Sequence, residues 1–75
     1  MGLYEKYEVR RRDGRPLKGG MCIVLELGDP NAWPALRTWA NTVEADGYGD
    51  LAADVRAAVD RAADQWEREA VLDVQ

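Results

Sequence analysis

The chain has 75 residues, with fourteen acidic side chains against ten basic ones, one cysteine, no histidine and a net charge of −4. A chain this short buries only about 60% of its unfolded surface, which leaves one small domain and little room for a deep, enclosed reaction site. The missing histidine removes the commonest general base and metal ligand, and Cys22 has no second cysteine with which to close an internal disulfide.

A secreted domain of this size normally needs disulfide staples, so the composition points to a reducing compartment and a cytoplasmic protein. Met1 to Glu8 lacks the apolar segment of a secretion signal. No apolar run approaches the roughly 20 residues that span a bilayer, so no membrane association is expected. The charge is unevenly spread. Residues 1–20 carry six cations against three acids, a net +3, whereas residues 21–75 carry four arginines against eleven acids, a net −7. A basic first quarter is joined to an acidic remainder.

In chain order, residues 4–12 alternate, with Tyr7, Val9 and Arg11 on one side and Glu8, Arg10 and Arg12 on the other. That is the signature of a strand with one wet face. Asp13-Gly14 signals a reversal. Pro16 then withholds a ladder donor and Gly19-Gly20 loosens the chain, so a long irregular tip is expected. Residues 21–27, MCIVLEL, read as the second strand. Met21, Ile23, Leu25 and Leu27 are expected to face the core, and Cys22, Val24 and Glu26 to face outward.

Residues 28–34, GDPNAWP, form a helix entrance, because Pro34 is tolerated only in a first turn. Asn31 is the expected N-cap. The helix is expected over about 32–45, with Ala32, Trp33, Leu36, Trp39, Ala40 and Val43 on its apolar arc. Gly47 suits the left-handed position after its end. Asp50 is the expected cap of a second helix over about 51–70. Its apolar stripe is Leu51, Val55, Ala58, Val59, Ala62 and Trp66, and residues 71–75 are expected to fray. The expected fold class is α+β: a two-stranded antiparallel β-hairpin (about 4–27) followed by two antiparallel amphipathic helices, ββαα.

The chemistry is sparse. Cys22 has no histidine to activate it and reads as an inert packing residue. No phosphate-cradling loop is present, since Gly19-Gly20 does not join a strand to a helix. Asp46, Asp50 and Asp54, and Asp60 and Asp64, stand at i, i+4 steps that suit a hard cation. Pairing with Arg56, Arg61 and Arg68 on the same helix makes them a solvated face instead. No catalytic, metal or cofactor residues are therefore assigned. Trp33, Trp39 and Trp66 fall on apolar faces and read as core; Trp33 at a helix start and Tyr48 between glycines are the accessible aromatics. Arg10, Arg12, Arg15 and Lys18 offer about four phosphate contacts, but Glu8 and Asp13 interrupt them. An apolar outer sheet face, with Tyr4, Cys22 and Val24, offers a seam for a homodimer or a landing site for a partner; otherwise the chain is monomeric.

The pattern KYEVRRRDGRP, CIVLE, DP, AL and LAADV, carried by Lys6, Tyr7, Val9, Asp13, Gly14, Pro16, Cys22 to Glu26, Asp29, Pro30, Ala35, Leu36 and Leu51 to Val55, resembles a group of small bacteriophage- and prophage-encoded proteins. The resemblance covers about two-thirds of the chain and carries over no functional residue. Trp33 and Pro34 depart from the pattern. It implies a bacterial host cell and a role in binding a host machine, CRISPR surveillance and nuclease complexes included. The expected function is thus a non-enzymatic interaction protein that inhibits a host nucleic-acid-handling or defence complex, protein or ribonucleoprotein, in the manner of an anti-CRISPR protein. Its contact residues would be Asp50, Asp54, Asp60, Asp64, Glu67, Arg10, Arg12, Arg15, Tyr48 and Trp33. The alternative is a nucleic-acid-binding module built on the basic hairpin.

Overall fold

The structure, a computed structural model, describes residues 6–73. Two helices are its regular elements: α1, Ala32–Ala45, and α2, Gly49–Asp73. They lie against each other as a helical hairpin. Residues 6–31 form an irregular arm, and no β-strand occurs among the described residues. The fold is therefore all-α rather than the expected ββαα.

The helices form where the apolar period placed them. Pro34 sits third in α1, where a missing donor costs nothing. Asn31 is not the expected cap: its backbone is already helical and its side chain caps nothing. Asp29 does that work two residues earlier. Its carboxylate accepts the Asn31 N–H at 2.9 Å and its carbonyl accepts the Ala32 N–H at 3.0 Å. At the other end, Gly47 takes φ +100. The Tyr48 N–H reaches the Val43 carbonyl at 2.9 Å and the Gly47 N–H reaches Glu44 at 3.0 Å, the paired bonds of a Schellman ending. Helix α2 begins at Gly49, two residues before expectation, with Asp50 inside its first turn, where a carboxylate favours the positive helix end. It continues to Asp73, through most of the segment expected to fray.

The core is a narrow seam between the helices: Ala32 and Ala40 from α1, Ala52 and Val59 from α2. Small side chains let the two backbones approach closely. The helices bury only part of their apolar stripes against each other, since Trp39, Leu51 and Trp66 remain 46%, 44% and 47% exposed rather than in the core, and the arm does not lie across them as a sheet. A lone two-stranded hairpin is marginal in water and needs a layer to lie on. Here Leu27 and Gly28, at its end, stand beside Ala58, Ala62 and Trp66 of α2. Both sides of the expected second strand are consequently exposed. Ile23, expected in the core, is 68% exposed, and Met21, Leu25 and Leu27 are likewise on the surface. Cys22 is exposed rather than packed. Tyr4 lies outside the described residues.

Candidate partner-binding surfaces

The arm is organised by local turns and by side chains rather than by a ladder. The Gly14 N–H closes a turn on the Arg11 carbonyl at 3.2 Å, and Gly14 adopts φ +76. Asp13 occupies the middle of that turn. Its carboxylate accepts two bonds from the Arg11 guanidinium, at 3.0 and 2.6 Å, and one from the Arg15 N–H at 3.0 Å. These donors, Arg11 foremost, hold the Asp13 carboxyl below its ordinary pKa. Further back, the Tyr7 hydroxyl donates to Glu26 at 2.6 Å, and the Lys6 ammonium lies 3.6 Å from the same oxygen. This latch ties the two ends of the arm together across nineteen positions.

The latch also fixes the chemistry of Tyr7. Its hydrogen bond to Glu26 pushes the phenol pKa up, while the same bond and the Lys6 charge hold Glu26 down. A phenol made less acidic is the reverse of what a tyrosine nucleophile requires. Beside it, Glu8, Cys22, Met21 and Ile23 line an open groove. Among the described residues, no three histidine, cysteine or carboxylate side chains gather to hold a metal ion.

Three of the four arginines of the basic hook pair with its own two acids. Arg10 pairs with Glu8, Arg11 with Asp13, and Arg15 approaches Asp13 at 4.0 Å. Among the described residues, Arg12 and Lys18 make no ion pair.

The acids of α2 divide into two groups. Asp60 faces α1, where Arg37 reaches it at 3.3 Å, and Asp64 is matched by Arg68 at 2.9 Å. Asp50, Asp54 and Glu67 make no ion pair among the described residues. At 100° per residue, Asp50 and Asp54 lie 40° apart on the side away from the buried Ala52 and Val59, whereas Glu67 lies about 100° from Asp50. Asp50 and Asp54 therefore share one face of α2, which Glu67 does not, and Tyr48, 63% exposed, stands in the turn that leads into the helix.

Trp33 has a structural role. Its indole N–H donates to the Leu27 carbonyl at 2.9 Å, and its ring meets Trp66 edge to face with centroids 6.3 Å apart. It clamps the foot of the arm to α2 at the end of the hairpin remote from Tyr48. The two are separated by the length of α1, about 20 Å at 1.5 Å per residue. The acidic turn and the foot of the arm are thus distinct regions.

Arg56 escaped the sequence reading. Rather than pairing with Asp60 on its own helix, it crosses to α1, reaching Glu44 at 2.8 Å and the Asn41 side-chain oxygen at 2.7 Å. The bridge holds Glu44 below its ordinary pKa and raises that of Arg56. The signal was present: Arg56 stands four residues after Ala52 and three before Val59, on the flank of the seam. Arg61 makes no bond to Asp64. No described helix is long and apolar enough to cross a membrane. Compared with known proteins, the chain matches no family model, no curated protein and no solved structure, and the resemblance to phage-encoded proteins gains no support from those comparisons.

Proposed function

We propose that the protein is a non-enzymatic interaction protein that presents the interhelical turn and the adjoining face of α2 to a basic protein surface. The carrying observation is the unequal use of its carboxylates. Glu44, Asp60 and Asp64 are matched by arginines, whereas Asp50 and Asp54, just after the exposed Tyr48, make no ion pair among the described residues; Glu67 and Glu69, also without an ion pair, lie more than three turns further along α2. Tyrosine flanked by charge suits a recognition surface, since it offers contact area at little entropic cost and keeps a hydroxyl for hydrogen bonding. A protein partner fits better than nucleic acid, because the arm spends most of its arginines on its own acids and the remaining residues would repel phosphate.

The finer reading, inhibition of a host nucleic-acid-handling complex, rests on charge segregation and on the sequence resemblance. Basic grooves that receive phosphate are the surfaces that an acidic turn would occupy. The test is capture of partners from host lysate by the tagged protein, with the captured protein purified and its affinity measured by calorimetry. Asp50→Lys with Asp54→Lys should abolish binding, while Arg10→Glu with Arg12→Glu should leave most of it. Unchanged affinity in the aspartate variant, or salt-sensitive nucleic-acid binding by the purified protein that the arginine variant loses, overturns the reading.

A further inference from the structure

We propose that residues 21–27 are a self-pairing segment, through which two copies of this chain join as an antiparallel β-ribbon. Four observations carry the proposal. First, the backbone N–H groups of this segment donate to no backbone carbonyl among the described residues, and Met21 is already extended at φ −156, ψ 166. The Glu26 carbonyl accepts the Asp29 N–H and the Leu27 carbonyl the Trp33 indole, but from Met21 to Leu25 neither the N–H groups nor the carbonyls have a backbone partner among the described residues, and such a stretch is a template for another strand. Second, Met21, Ile23, Val24, Leu25 and Leu27 are all substantially exposed, on both sides of the chain.

Third, the molecule has surface to spare. Its accessible area is 6637 Å², against about 4600 Å² for a compact monomer of its mass. Its radius of gyration is 15.3 Å, against about 11 Å for a compact chain of this length. The excess, about 2000 Å², exceeds the roughly 800 Å² that each partner contributes to a standard interface.

Fourth, the segment complements itself. With Val24 on the two-fold axis, all seven residues find partners between the flanking Gly20 and Gly28. Ile23 stands opposite the partner's Leu25, and Met21 opposite the partner's Leu27. On the other side Val24 meets its own copy, and Cys22 stands opposite the partner's Glu26. No like charges oppose each other. Antiparallel pairing also brings Lys18, which makes no ion pair among the described residues, to the end of the ribbon that carries the partner's Asp29. A symmetric dimer formed through one patch is the commonest closed assembly.

The pairing is independent of the acidic turn, so it can fail while partner binding survives. The test is sedimentation equilibrium over a wide concentration range, with far-ultraviolet circular dichroism as the check on the helices. The expected result is a monomer–dimer equilibrium. Val24→Lys should keep the helical signal and weaken dimerisation about a hundredfold, because two lysines would face each other on the axis. For the register, Val24→Cys on a Cys22→Ser background should form a disulfide-linked dimer under mild oxidation, and faster than the wild-type chain does through Cys22. A monomer at every concentration, a dimer indifferent to Val24→Lys, or faster crosslinking through Cys22 would each overturn the proposal.

Discussion

Replacing Val59 by alanine puts the seam to its hardest test. Val59 is wholly buried between the helices. Losing its two methyl groups forfeits about 1.6 kcal/mol of transfer free energy, at about 0.8 kcal/mol per carbon. The void left behind adds about 1 kcal/mol, because both neighbouring backbones belong to helices that cannot close over it freely. The expected loss is therefore about 2.5 kcal/mol. A 75-residue domain has about 4–11 kcal/mol in all, and a core of four small residues places this chain near the lower end. Val59→Ala should then lower the melting temperature by about 10–20 °C, at about 4–8 °C per kcal/mol.

The informative control is Ile23→Ala. In a hairpin packed on helices, Ile23 would be core and its truncation would cost about 2 kcal/mol or more. In the exposed arm it should cost less than about 0.5 kcal/mol. Both variants are compared by thermal and urea unfolding of dilute protein, followed by circular dichroism at a concentration where the chain sediments as a monomer. Equal losses at Val59 and Ile23, or a larger one at Ile23, would refute the two-helix seam as the whole of the monomer's core.

Three further outcomes follow from the same geometry. Ala52→Leu should destabilise the helical pair by about 1–3 kcal/mol, since Ala52 is fully buried where the backbones approach, and the urea midpoint reads it. Trp33→Phe keeps the ring but loses the indole N–H to the Leu27 carbonyl; it should cost about 1 kcal/mol and speed amide exchange around Gly28 more than within α2. The Glu44 carboxyl is held below its ordinary value by Arg56, so its contribution is complete above the usual carboxylate range and fades as pH falls through the lowered folded value. Glu44→Gln should therefore flatten the acid limb of the stability–pH curve, and an unchanged limb would show that the bridge is not coupled to folding.

The helices and the arm show which kinds of information a sequence holds locally. Trp33, Leu36, Ala40 and Val43 repeat with the helical period, and Pro34 and Gly47 punctuate it; each signal acts within one turn, so α1 was legible to the residue and α2 to within two or three. The stripe of α2 missed Ala52, although it stands two turns before Val59 on the same face and is equally buried. The alternation in residues 4–12 and 21–27 is equally regular, but alternation only says how a strand would sort its side chains. Whether a strand forms depends on a partner for its backbone, and the two limbs of the arm do not supply it to each other: they are joined by the side chains of Tyr7 and Glu26 rather than by a ladder. Arg56 follows the same logic. A local rule paired it with Asp60, while the seam placed Glu44 and Asn41 of the other helix within reach.

The two surfaces left over differ in the kind of completion they need. Along the seam, charge is balanced across the helices, so that Arg37 meets Asp60 and Arg56 meets Glu44. At the turn, Asp50 and Asp54 keep their charge and Tyr48 its ring, which is costless in water and attractive to a cationic surface. Along residues 21–27 the surplus is apolar side chain, which water tolerates poorly, on a backbone whose N–H groups have no partner within the chain and are open to a second copy. A charged patch can wait unoccupied at no cost, and an apolar strand cannot. The arm is accordingly where the isolated chain gains most from company, and the acidic turn is where a partner is recognised rather than where the fold is completed.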